Sequence, residues 1–341
     1  MIGEEHRNRG VPYQEGRKPV ELFHSVNVDW LGKKWYFLAF SMIFSVAGLI
    51  SMGWHWAHIG SPVPLGVDFR GGTQVQVQFA NPPEIARIRQ ALDTAGIKGG
   101  TVVNFDRPEL HEVLISLPEQ TNERALDTGR QEIVNALREH YSNPFNASGV
   151  KVDVVGPTVG HQLERQAGLA TLYSLLGMLI YLWFRFQLIY GVAAVVACFH
   201  DTLITVGAFA LTGTEISLTV IAAILTLVGY SMNDTIVVFD RIRENLRLSR
   251  REPLPDLVNR SINQTLSRTV LTSGLTFLTV LSLFVFGGQV LHGFSFALVI
   301  GILIGTYSSI AVASPMLVAW QEWRSKRGKA AILPAAKRSR V

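Results

Sequence analysis

Four side chains stand where charge is costly. Asp234 lies inside the apolar stretch 216–239, five residues before Phe239, and Arg268 directly precedes the apolar run 269–287. His200 and Asp201 sit side by side within another such run, 188–211. A carboxylate in a bilayer-spanning helix costs roughly 2.5 to 3.5 kcal/mol on insertion scales, so it normally faces protein or water and has a partner. At 1.5 Å per residue Asp234 lies about 7 to 8 Å inside Phe239, a depth that Arg268 can match or snorkel towards if the two runs are antiparallel neighbours. The expected pair is Asp234 with Arg268. A carboxylate that takes up and releases a proton beside a fixed cation has two states, and this is the chemistry the placement points to. The plainer alternative is a static ion pair joining two helices. His200 and Asp201, about 20 Å from Leu188 and so deeper than Asp234, form either a proton stepping stone or a packing hydrogen bond.

The elements that position these groups follow from the clustering of apolar residues. Runs at 35–53, 167–184, 188–211, 216–239, 269–287 and 291–320 approach or exceed the roughly 20 residues that span a bilayer, which predicts six transmembrane helices. The net charge of +5 does not imply nucleic acid, because Lys and Arg crowd the N-terminal tail, the loop after the fourth run and the C-terminal tail. The turns 212–215 and 288–290 have none. By the positive-inside rule both termini are cytoplasmic, and the two turns and the long insert lie outside. The first apolar run begins only at Trp35 and lacks a small-residue exit, so it reads as an uncleaved anchor. Cys198 is the single cysteine and lies in a span, so no intrachain disulfide forms. An outside domain without disulfides fits a bacterial inner membrane. The expected layout is a cytoplasmic tail 1–34, a first transmembrane helix 35–56, a periplasmic domain 57–166, a five-helix membrane region 167–320 and a basic cytoplasmic tail 321–341.

The insert alternates at 74–79, turns helical over 83–95, shows strands at 101–105 and 112–117, a helix at 122–140 and a closing strand at 150–155. That βαββαβ order predicts an α+β ferredoxin-like domain, a fold that by itself assigns no function. GVDFRGGT at 66–73 lacks Walker spacing and reads as a turn rather than an anion loop; GPTVG at 156–160 reads as the end of the last strand. His111, His140 and His161 have no metal-ligand spacing, and no HExxH, GxSxG or Cys-His constellation occurs. No metal or cofactor is expected. In the membrane half Ser261, Thr265, Arg268, Thr272, Thr276, Thr279 and Ser282 recur at threes and fours, forming a hydroxyl face that either packs on a neighbour or, as favoured here, lines a wet path. Gly293, Ala297, Gly301, Gly305, Ser309 and Ala313 form a small-residue ridge suited to close helix packing.

GYSMNDTIVVFDRIREN at 229–245, followed by SINQTLSRTVLTSG and FGGQVLHGFSFALVIGILIGTYSSI, together with the earlier VDFRGGT and VGPTVG, resembles the SecD/SecF family, on its SecF side, over about residues 67–314. The resemblance implies membership of the resistance-nodulation-division superfamily. It also implies a SecD partner that supplies six further helices of a pseudo-symmetric unit. Such a complex uses the proton gradient to help draw unfolded preprotein through the SecYEG translocon and release it outside, embedded in membrane lipid and without nucleic acid. It further implies that Asp234 and Arg268 are the family's membrane acid and base, that His200 and Asp201 are its HD pair, that Asp68, Gly71 and Gly72 belong to its DFxGG turn, and that Gly229 and Asn233 belong to its GYSMND motif. Two other classes compete: an intramembrane aspartyl protease using Asp201 and Asp234, which lacks the usual GxGD signature here, and one half of a proton-coupled small-molecule exporter. The topology is testable directly. A reporter fused after Asn146 is expected to be active only outside and one fused after Ser249 only inside; labelling of Ser249 by an outside-only reagent would overturn the six-span layout.

Overall fold

The computed structural model describes residues 27–97, 100–104, 111–117, 123–145, 150–155, 157–185, 188–249 and 252–327. Helix α1 (Lys34–Ile59) leads through a short helix, α2 (Val67–Arg70), into a sheet-bearing segment. That segment runs β1 (Gly72–Gln78), α3 (Ile85–Thr94), β2 (Thr101–Asn104), β3 (Glu112–Leu117), α4 (Glu123–His140) and β4 (Lys151–Val155). Then come α5 (Pro157–Arg185), α6 (Leu188–Thr212), α7 (Leu218–Leu248), α8 (Leu254–Phe286) and α9 (Gly288–Ser308). A π-helical turn, Ser309–Ala313, joins α9 to α10 (Ser314–Lys326). Among the described residues six helical stretches are long and apolar enough to cross a membrane, so the chain is a multi-pass membrane protein. Several helices overrun their apolar runs: α5 begins at Pro157 and α7 continues to Leu248. Apolar runs report bilayer thickness, whereas a helix once started propagates through polar residues.

The sheet order is β2-β3-β1-β4, with every neighbouring pair antiparallel. Strand alternation sends Val75, Val77, Val113, Ile115 and Leu117 to one face, where they pack with Ile88 and Leu92 of α3 and Ile133 and Leu137 of α4. The other face is polar. Gln74 Nε2 donates to Ser116 Oγ at 3.2 Å and Gln76 Nε2 to Glu112 Oε2 at 2.8 Å, linking β1 to β3. GPTVG does not merely close a strand, since Pro157 already opens the long helix α5.

In the bundle the small-residue ridge of α9 lies against α7. A Cβ on Gly301 would collide with the Leu227 side chain, one on Gly293 would lie 2.9 Å from Val220 Cγ2, and one on Gly305 would lie 3.1 Å from Ser231 Cβ. Helices α1 and α6 meet at a second glycine contact, Gly48 on Gly207, where an added Cβ falls 2.8 to 3.0 Å from the opposing Cα. At the end remote from the sheet, two asparagines on α8 clasp the residues before α1. Asn259 Oδ1 accepts from the backbone N–H of Trp30 (2.9 Å) and Leu31 (3.2 Å), and Asn263 Oδ1 accepts from Trp30 Nε1 at 2.9 Å. Asp29 joins the clasp, its carboxyl held below the ordinary range by the Gly32 N–H first and then by Asn259 and Lys33.

Gly301→Leu is expected to lower stability in detergent by about 1 to 3 kcal/mol through overpacking against Leu227. Gly168→Leu, at a position with open space around it, should leave the thermal midpoint nearly unchanged. Equal losses at both positions would refute the ridge packing.

Candidate functional site

Helices α6, α7, α8 and α9 converge on two carboxylates. Asp201 and Asp234 are 0% and 2% exposed. Asp234 Oδ2 accepts from Ser273 Oγ of α8 at 2.6 Å and from Thr306 Oγ1 of α9 at 3.4 Å. Asp201 Oδ2 accepts from Ser231 Oγ of α7 at 2.5 Å and from Ser308 Oγ of α9 at 2.7 Å, while Oδ1 lies 3.0 Å from His200 Nδ1. Ser231 precedes Asp234 by three residues on α7, so both lie on one face about one turn apart. The two acids therefore differ in depth by only about a turn, Asp201 nearer the sheet end. Among the described residues they have no hydrogen-bond partner in common.

Helix α9 reaches both acids because Thr306 and Ser308 are two positions apart and so point about 200° from one another. Directly after Ser308 the helix widens into the π-helical turn, closed by Ser314 Oγ donating to the Ser309 carbonyl at 2.9 Å. Such turns recur where a helix must re-aim side chains. Ser308, Ser309 and Ser314 are all fully buried there. A hydroxyl both donates and accepts. The cage around each Asp can thus donate to a carboxylate and accept from a carboxylic acid, and a proton can arrive without the oxygens moving apart. His200 adds an imidazole whose Nε2 is buried and has no hydrogen-bond partner among the described residues.

The expected contact between Asp234 and Arg268 is not formed: no ion pair within 4.0 Å joins them. Helical phase is the reason. Ser273, which touches Asp234, follows Arg268 by five residues and so projects about 140° away from it. Arg268 is exposed, together with Thr272 and Thr279 on the same outer face. The hydroxyl stripe divides accordingly: Ser261 and Thr265 are buried, Thr276 is half-buried and Thr272, Thr279 and Ser282 face outward, and these last four donate to carbonyls of their own helix. Among the described residues their hydrogen bonds stay within α8.

Gly229 and Asn233 lie on the outer face of α7. Asp68 caps the start of α7, accepting from Leu218 N at 2.8 Å. Gly71 and Gly72 adopt φ of 75° and 134°, a backbone that side chains resist. His140 and His161 are exposed and His111 half-buried, and no group of three metal-ligating side chains occurs among the described residues. The sequence reading missed Ser231, Ser273, Thr306 and Ser308. Their signal is a hydroxyl at matched depth on a neighbouring span, which becomes readable only once the rotational phase of each helix is known.

The bundle and its buried acids define a multi-pass membrane protein with ionisable groups in its core. The model for the C-terminal region of SecD/SecF protein export membrane proteins matches residues 134–323, and that for the SecD/SecF GG motif matches residues 59–83. The chain belongs to the SecD/SecF family. A protein translocase subunit SecF of Koribacter versatilis is 54% identical over 92% of this chain and 96% of its own length. One of Desulfurispirillum indicum is 43% identical over 86% and 92%. The SecDF crystal structure from Thermus thermophilus superposes with a TM-score of 0.72 at 37% identity, covering 87% of this chain and 39% of that longer one.

Ser308→Ala leaves buried Asp201 short of a donor and is expected to cost about 1 to 3 kcal/mol of stability. Ser282→Ala, on the outward stripe, should stay within about 0.5 kcal/mol. Comparable thermal shifts in the two variants would contradict the cage.

Proposed function

We propose that this chain is the SecF-type half of a proton-driven protein-export complex, working with a SecD-type partner beside a SecYEG channel. The observation that carries the reading is Asp234, buried inside the membrane bundle and held by Ser273 and Thr306 while Arg268 points out of it. Desolvation opposes the ionised carboxylate and the hydroxyl cage accommodates either protonation state, so a proton is the natural switch. Each proton crossing the membrane delivers about 2.3 kcal/mol per 100 mV, comparable to the few kcal/mol between conformers of a two-state protein. Arg268 in turn needs a counter-charge or a polar, solvated surrounding, because exposed cations inside a bilayer are paired or solvated. A SecD-type partner covering the polar outer face of α8 would provide it. Support comes from the Thermus thermophilus relative named SecDF, which this chain matches at 42% identity over only 34% of its length.

The sheet-bearing segment, with βαββαβ order and strand order β2-β3-β1-β4, fits a ferredoxin-like domain. In this reading it occupies about 57–166 on the outer side of a bacterial inner membrane, where preprotein emerges, and both termini are cytoplasmic. An aspartyl protease would need two acids sharing a proton; separate hydroxyl sets for Asp201 and Asp234 argue against it.

Asp234→Asn and Arg268→Met are each expected to keep assembly with SecD but lose stimulation of export by the proton gradient. Asp201→Asn should be milder. The assay is late-stage translocation into inverted vesicles with and without a gradient; normal stimulation in Asp234→Asn would reduce the site to structural glue.

A further inference from the structure

The sheet end of α7 is built into the DFRGG turn. Leu218 is the first residue of the helix that carries Asp234, and its N–H donates to Asp68 Oδ2 at 2.8 Å. Around that bond Gly66 N donates to the Ile216 carbonyl (2.9 Å) and Ile216 N to the Pro64 carbonyl (2.8 Å), making a short parallel bridge between Leu65 and Ile216. The cap within the helix's own sequence is weaker: Ser217 Oγ accepts from Val220 N at 3.4 Å, beyond the usual range of about 2.7 to 3.2 Å. On the other side of the turn Phe69 is 2% exposed and packs in the cluster that includes Ile216, Val220 and Ala223. Gly160 admits the Phe69 carbonyl, which a Cβ there would meet at 2.5 Å. Gly71 and Gly72 then turn the chain directly into β1, the strand that pairs with both β3 and β4.

We propose that Asp68 is a positioning residue that joins the sheet end of α7 to the sheet, so that a displacement of α7 set by the protonation of Asp234 is delivered to the domain. This rests on the proton-driven reading above. The covalent links through α1 and α5 do not pass through α7; the Asp68 bond does. Asp234 is sixteen residues along α7 from Leu218, about 24 Å of continuous helix. Loss of an N-cap is expected to weaken such a junction about fivefold, equivalent to about 1 kcal/mol.

Two variants delete the same bond from opposite sides. Asp68→Ala removes the acceptor. Leu218→Pro removes the donor at a first helical position, which suits proline, and after Ser217, whose extended backbone (φ −98°, ψ 174°) is what a following proline requires. Asp68→Asn keeps an accepting oxygen. The readout is a spin-label distance between Ser142 in the sheet segment and Leu248 at the far end of α7, in the full chain with its SecD partner in lipid nanodiscs, with Cys198 replaced by Ala. With Asp68 intact, Asp234→Asn is expected to shift the distance distribution. The shift should be lost in Asp68→Ala and Leu218→Pro and retained in Asp68→Asn. An undiminished shift in either deleting variant that assembles overturns the role of Asp68. No shift with Asp68 intact overturns coupling at Asp234 and this proposal together, and failure of both deleting variants to assemble assigns the bond to folding and overturns it as well.

Discussion

A carboxylate withdrawn from water is tolerable only if something nearby satisfies it, and in this bundle that task falls to hydroxyls. Ser231, Ser273, Thr306 and Ser308 come from three different helices and meet two acids. The contacts between α6, α7, α8 and α9 are therefore organised around charge satisfaction as much as around apolar packing. Cations at these positions would have favoured one protonation state strongly. Hydroxyls hold both.

The consequences run outward along α7. At its far end the helix meets the asparagine-rich start of α8, with Asn245 Nδ2 donating to Ser261 Oγ at 2.8 Å and to Gln264 Oε1 at 2.8 Å. At its near end it is received by the DFRGG turn. The same helix thus touches the segment that precedes the arginine, the buried acids and the base of the sheet, and the close fit of α9 along it keeps those contacts in fixed register.

Much of this was legible in the chain. Spans, their order, the βαββαβ pattern and the burial of Asp201 and Asp234 follow from apolar clustering and from depth counted in residues. The partner of Asp234 was not legible, because depth and charge favour Arg268 while the rotational phase of α8 turns Ser273 inward instead. Nor was the tie between Asp68 and Leu218, which lie 150 residues apart and show no periodic relation. The family resemblance singled out the DFxGG turn without saying what its acid holds. Register along one element is visible in sequence; angular phase between elements is not.

The glycine contact between α1 and α6 has a consequence of a different kind. Gly48 and Gly207 each leave room for nothing beyond a hydrogen atom on the side facing the other. Every other amino acid carries a Cβ, so no amino-acid replacement at either position is free of a steric penalty, and exchanging both glycines compounds the misfit. The crossing is a dead end for gradual drift: descendants of this sequence can vary the lipid-facing residues around it, but can part with these two only by moving the helices themselves.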